Sequence, residues 1–290
     1  MIDRDTVHKL VSSITYNRGY DGLDGLDPIR RLLWKDSDGA VAAWLEDEMR
    51  HQEGKVRAGI AFLLGARYLE IGRLEAIHAL YANDDSEVKY AALGSLTGDS
   101  RAHPELGAGV VALAVEGASS VDARVRASAC SVLMNQCAWG VDVEAAVLPI
   151  LALVEDQDAR VRQGAAYALG HFARVKRYEL TPHIARLAGL LDDESIDVRT
   201  AAAWALWKLS GSRDIAPAVP GLIKTLESPI DYNGPRKNAA GALLSFARKS
   251  PHKHDQVSRL AASAHLDTAK KEISLFLKKL AAASATQRLE

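Results

Sequence analysis

Two stretches decide the fold: DQDARVRQGAAYALGHF at residues 156–172 and DESIDVRTAAAWALWKLS at residues 193–210. They begin 37 residues apart and carry the same residue types in the same places. Each has an acidic turn, then Val-Arg, then an alanine-rich run with leucine ninth from the valine. The unit recurs outward in both directions. Its valine stands at Val56, Val88, Val125, Val161 and Val198, with Pro235 in the same place of a sixth copy, at intervals of 32, 37, 36, 37 and 37 residues. A basic residue follows each time, and Leu64, Leu96, Leu133, Leu169, Leu206 and Leu243 fill the ninth position. A fixed period of this length marks a stack of like supersecondary units.

Each unit reads as two helices. Asp85, Asp122, Asp158 and Ser195 stand three residues before the valine, where a side-chain oxygen can cap the orphan amides of a helix start. In the sixth copy Asn233 is the expected cap, with Pro235 in the first turn. A second amphipathic segment precedes each cap, such as VEAAVLPILALVED; Pro149 falls inside that one and is expected to kink it. A helical pair of this kind cannot bury its apolar face alone, so neighbours must stack.

The two quoted stretches resemble the HEAT repeat family, in particular its short bacterial, PBS-lyase-type members, and the similarity runs over roughly residues 38 to 250. The resemblance implies an all-α, right-handed α-solenoid of about six helical hairpins. It also implies a ladder between repeats in which an aspartate pairs with the arginine six residues later. Asp156 with Arg162 and Asp193 with Arg199 match that pattern; positions 51, 83, 120 and 230 hold His, Asn, Ser and Ile, so the ladder is expected in the fourth and fifth repeats. Residues 1–36 are expected to form an N-terminal helical cap, 37–250 the repeats and 251–290 a C-terminal helical cap, in one continuous solenoid. In the first cap, RDTVHKLVSSITYN reads as a helix, followed by a loop and a short helix. In the last, TAKKEISLFLKKLAAASA reads as an amphipathic helix with Ile273, Leu275, Phe276 and Leu280 near one face.

The bulk properties fit a globular chain: 48% hydrophobic, 25% charged, net charge −1. No run approaches the roughly 18–20 apolar residues that span a bilayer, and the start shows no secretory h-region. Cys130 and Cys137 fall on one helix about 10 Å apart, too far for a disulfide. They read as reduced thiols of a cytoplasmic protein. Charge is uneven along the chain: residues 235–290 hold 11 basic and 4 acidic side chains, a basic end able to meet an acidic partner.

At 100° per residue from the valine, positions 1, 5, 8, 9 and 12 form one stripe: Val198, Ala202, Ala205, Leu206 and Leu209 in the fifth repeat. Trp204 therefore points away from the core, and Trp207 lies nearer the stripe edge. The resemblance places second helices on the concave surface. Tyr167, His171 and Arg174 should then lie beside Trp204, Trp207 and Lys208, with Gln163, Asn135 and Tyr90 farther along the same face. Trp, Tyr and Arg dominate binding hot spots, so this face is expected to hold another protein or peptide.

Chemistry is hard to find. His252 and His254 form an HxH pair that reads as solvated loop rather than metal site, and no phosphate loop or GxSxG elbow is present. No metal, cofactor or catalytic residue is expected. The leading reading is a non-catalytic scaffold or adaptor. The alternative, from the resemblance, is an enzyme: a bilin chromophore lyase or an alkylpurine DNA glycosylase. The near-neutral inner row argues against nucleic acid, and nothing indicates a membrane.

Overall fold

The structure is a computed structural model that describes residues 3–17, 22–83, 85–98, 101–229, 234–268 and 270–287. The chain divides into two units, Met1–Asp142 and Val143–Glu290. Each is a stack of helical hairpins, an α-solenoid.

The first unit begins with α1 (Arg4–Ser12), capped by the Asp3 carboxylate, which accepts the Thr6 N–H at 2.8 Å. The sequence led us to expect this helix to continue to Asn17. Instead β1 (Thr15–Asn17) pairs antiparallel with β2 (Gly22–Asp24), Tyr16 opposite Leu23. Threonine and tyrosine favour extended backbone, and Gly25 at φ +94° then turns the chain into α2 (Leu26–Lys35). This short ladder is the one sheet among the described residues. Three hairpins follow: α3 (Ala40–His51) with α4 (Gly54–Glu70), α5 (Leu74–Tyr81) with α6 (Ser86–Ser95), and α7 (Gly107–Gly117) with α8 (Ala123–Ala138). The second helices stack, α4 on α6 and α6 on α8, so the shorter 32-residue first interval still stacks.

The second unit repeats the plan: α9 (Val147–Ala152) with α10 (Ala159–Phe172), α11 (Ile184–Gly189) with α12 (Ile196–Ser210), and α13 (Val219–Glu227) with α14 (Gly234–Ala247). It ends in α15 (Pro251–Ser263) and α16 (Lys271–Gln287). Along the second helices, α10 packs on α12, α12 on α14 and α14 on α16. The stripe positions Val198, Ala202, Ala205, Leu206 and Leu209 are all at most 2% exposed. Asp85, Asp122 and Asp158 each cap their helix by accepting the N–H two residues on, at 2.8 Å. Ser195 occupies the cap position without a side-chain bond, and Asn233 lies outside the described residues.

Three local expectations are corrected. Pro149 does not interrupt a helix: a 3-10 turn (Glu144–Ala146) leads into α9, so Pro149 lies in the first turn, where the N–H has no intrahelical partner anyway. Leu275 is 45% exposed, while Ile273, Phe276 and Leu280 are buried. His254 is in helix α15 and buried; its Nε2 lies 2.9 Å from the Leu280 carbonyl and its Nδ1 3.3 Å from Ser258 Oγ, tying α15 to α16.

The ladder takes a particular form. Arg162 donates from Nε and Nη2 to both carboxylate oxygens of Asp193 in the next repeat, at 2.6 and 3.0 Å. Its Nη1 donates to the Asp156 and Gln157 carbonyls at 2.8 and 2.9 Å. Arg199 repeats the second half, donating from Nη1 to the Asp193 and Glu194 carbonyls at 2.8 and 3.0 Å. The aspartate six residues before each arginine thus offers it a backbone oxygen, and the carboxylate of Asp193 crosses to the preceding repeat. Burial pushes the Asp193 pKa up, but the bonds from Arg162 and the Ser195 N–H outweigh it and hold it below the usual 3.8.

Asp193→Ala leaves the Arg162 guanidinium, 11% exposed, with the Asp156 and Gln157 carbonyls and, as a carboxylate, Glu194 at 3.6 Å. The expected loss, read by urea denaturation at pH 7, is about 3 kcal/mol, at the low end for breaking a buried pair. Because the native carboxyl is the stronger acid, its contribution is complete above pH 3.8 and fades as pH falls through the lower native value. The gap between wild type and variant should therefore close in acid; a gap independent of pH would assign it to packing.

Candidate functional site

The helix period puts Tyr167 and His171 on one face of α10, four residues apart, and Trp204 and Lys208 likewise on α12. Because α10 packs on α12, the two pairs meet. The Tyr167 and Trp204 rings lie edge to face, centroids 5.4 Å apart at 64°. The His171 ring is 5.2 Å from that of Trp204. Lys208 reaches over both indoles, its Nζ 5.1 Å from the Trp204 centroid and 5.4 Å from that of Trp207. Such cation–π contacts are worth about 0.5–1 kcal/mol at exposed sites.

Two glycines make room for the indoles. A Cβ on Gly170 of α10 would come within 2.3 Å of Trp204 Cζ3, and one on Gly241 of α14 within 2.8 Å of Trp207 Cδ2. Trp204 leans toward the repeat before it and Trp207 toward the repeat after. Both remain half-buried, as do Tyr167 and His171, while Lys208 and Arg174 are exposed. The indoles therefore fill the seams between second helices and also form part of the surface.

His171 has the most unusual setting. Its Nδ1 is buried without a hydrogen-bond partner among the described residues. Burial, then the charges of Arg174 and Lys208, draw its pKa below the usual 6.5. Both causes favour the neutral imidazole. Tyr167 is pushed up from 10, by burial and then by the Asp197 carboxylate.

Six of the nine expected face residues thus converge: Tyr167, His171, Arg174, Trp204, Trp207 and Lys208. Gln163 is half-buried one turn earlier on α10. Tyr90 and Asn135 belong to the first unit. Tyr90 is 42% exposed with the Arg124 guanidinium 5.9 Å from its ring centre, and Asn135 donates to the Thr97 carbonyl at 3.2 Å. Phe62, seventh from Val56 as Tyr167 is from Val161, is at 43% as open as Tyr90.

Residues 111–207 and, overlapping them, 149–245 match the family model described as HEAT repeats. No curated protein matches the chain. Among solved structures, an engineered protein superposes with a TM-score of 0.68 at 19% identity, covering 97% of this chain and 78% of its own. A second engineered protein gives 0.62 at 22% identity, over 74% of this chain and 97% of its own. A designed armadillo repeat protein in complex with the peptide (KR)4 gives 0.54 at 19% identity, over 76% and 98%. At these identities the likeness is one of fold. No helix among the described residues is long and apolar enough to cross a membrane.

The surroundings of His171 can be checked by following its ring protons by NMR from pH 8 to pH 4.5. It should titrate below 6.5, move upward in Lys208→Gln, and move further in Trp204→Ala, which removes part of the burial that dominates the shift. A midpoint unmoved in both variants would place the ring in solvent, away from Lys208.

Proposed function

Since this chain belongs to the HEAT repeat family, its matched repeats lying within residues 111–245, we propose that it is a non-catalytic scaffold. It holds an extended segment of a partner protein across the second-helix face of α10, α12 and α14. The carrying observation is the cluster of Tyr167, Trp204 and Trp207 beneath Lys208, half-open to solvent on helices fixed by their packing. Rigid aromatic rings beside a cation lose little conformational entropy on binding and are the side chains that anchor interfaces. A designed armadillo repeat protein of similar fold is in complex with the peptide (KR)4, which supports reading this fold as a peptide-binding scaffold.

The test is selection from a random peptide display library on the wild-type protein, followed by affinity measurement on Lys208→Glu. Lys208 is exposed, so its replacement should leave the thermal midpoint within about 2 °C, as surface changes usually do. Affinity for the selected peptides should fall at least tenfold. A wild-type protein that enriches no peptide, or peptides indifferent to this variant, would sink the proposal.

A further inference from the structure

Charge in this molecule is segregated between the units. Met1–Asp142 carries 15 Lys and Arg against 21 Asp and Glu, net −6; Val143–Glu290 carries 21 against 16, net +5. Within the second unit the excess collects where the second helices end. Residues 173–179, 208–214 and 247–254 hold eight Lys and Arg and two acids, Glu179 and Asp214. Both acids are already engaged. The Asp214 carboxylate meets Lys253 at 2.8 Å and accepts the Ala216 N–H at 3.0 Å. The Glu179 carboxylate accepts the Thr181 N–H at 3.0 Å.

Lys253 meets Asp214 and Arg177 lies 3.9 Å from Glu144, but two cations of this edge are bound to neutral oxygens. Arg213 donates from Nη2 to the Val175, Lys176 and Tyr178 carbonyls at 3.2, 2.9 and 2.9 Å. Lys249 donates to the Arg213 carbonyl at 2.8 Å. These bonds join repeat to repeat and leave the positive charge uncancelled. The crowding registers twice. Lys249 is drawn below the usual 10.5 by burial, then by Lys253 and with a contribution from Arg213, Asp214 opposing; His171 is drawn down beside Arg174 and Lys208. The edge runs directly into the aromatic cluster, because Arg174 and Lys208 belong to both. An open cleft of about 490 Å³ lies on it, lined by Lys176, Glu179, Thr181, Gly211, Ser212 and Arg213.

We infer that the segment held by this face is an acidic peptide, its carboxylates meeting Arg174, Lys176, Lys208 and Arg248 along the ends of α10, α12 and α14. This rests on the binding reading above and specifies its ligand. Three helices packed 8–10 Å apart put about 16–20 Å between the outer axes, and an extended octapeptide reaches about 26–29 Å, so a short strand of chain spans the edge. Charge complementarity excludes wrong partners as well as attracting the right one: a basic peptide such as (KR)4 would meet uncancelled cations here. Single-stranded nucleic acid is also anionic, but it draws affinity from bases stacked on bare rings. Here Trp204 already contacts Tyr167 and Gly170 and has Lys208 over its ring, so a base stacking there competes with the Lys208 ammonium. A peptide carboxylate instead pairs with the Lys208 ammonium where it stands.

The test uses the full chain and four fluorescein-labelled probes: (DE)4, (GS)4, (KR)4 and an eight-nucleotide oligothymidine, by anisotropy at 50 and 300 mM salt. The expected result is binding of (DE)4 at least tenfold tighter than (GS)4, weakening severalfold at the higher salt, with (KR)4 unbound. Lys176→Glu and Arg248→Glu, both on exposed side chains, should each weaken (DE)4 about three- to tenfold without moving the thermal midpoint. Equal affinity for (DE)4 and (GS)4, or tighter (KR)4, overturns the acidic specificity. Oligothymidine bound more tightly than (DE)4 overturns the choice of peptide. If display-selected peptides bind and prove neutral or basic, this inference fails while the scaffold stands; if no peptide binds in either experiment, the scaffold reading itself fails.

Discussion

The close approach of α10, α12 and α14 governs the second unit. Along α12 Ala201, Ala202, Ala203 and Ala205 are all fully buried, and small side chains let helix axes come near. An indole in such a seam would normally force the helices apart. It does not here because Gly170 and Gly241 present only backbone to the two rings. The same arrangement fixes the indoles, so they form a rigid surface. Stability and the candidate site share these atoms. A change to Trp204 alters the seam as well as the face, whereas a change to Lys208 alters the face alone.

Much of this was legible in the sequence, for a specific reason. In a stack of like units each environment recurs, so Val161 and Val198, Leu169 and Leu206, and Arg162 and Arg199 announce their roles by repetition. The direction of Trp204 followed from 100° of rotation per residue and needed no tertiary knowledge. What stayed hidden depends on how neighbours are offset. Asp193 stands six residues before Arg199 and 31 after Arg162, and spacing alone cannot say that its carboxylate takes the distant partner. Nor can it say that Gly170, rather than some other small residue, faces the Trp204 ring. The pairing of Thr15–Asn17 with Gly22–Asp24 was invisible because three residues are too few to show alternation. His254 sits in a run that reads as polar loop, and only the arrival of α16 buries it.

The basic edge is foldable because of where it lies. Helix C-termini present unpaired carbonyls and the negative end of the helix dipole, and both accommodate cations. Arg213 and Lys249 bond instead to backbone oxygens of the turns that follow α10 and α12 in the preceding repeat. A carboxylate in the same place would have stabilised each side chain and also abolished its charge at a distance. Carbonyl oxygens orient the side chain and leave the net charge in place. The contrast with Arg162 is instructive: that guanidinium is met by the Asp193 carboxylate and joins repeats without contributing a field.

Two kinds of inter-repeat bond therefore coexist in one stack. The Arg162–Asp193 bond lies at the turn before the second helix and is neutral as a pair. The Arg213 and Lys249 bonds lie after the second helix and remain charged. Within Val143–Glu290 a paired arginine thus lies before the second helices and an excess of cations after them. The aromatic cluster lies against the positive side, through His171, Arg174 and Lys208. A ligand drawn in by long-range charge thus arrives next to the rings that can hold it by contact. Steering and anchoring come from the same few turns of helix, which is why a repeat fold can acquire a binding preference without any departure from its period.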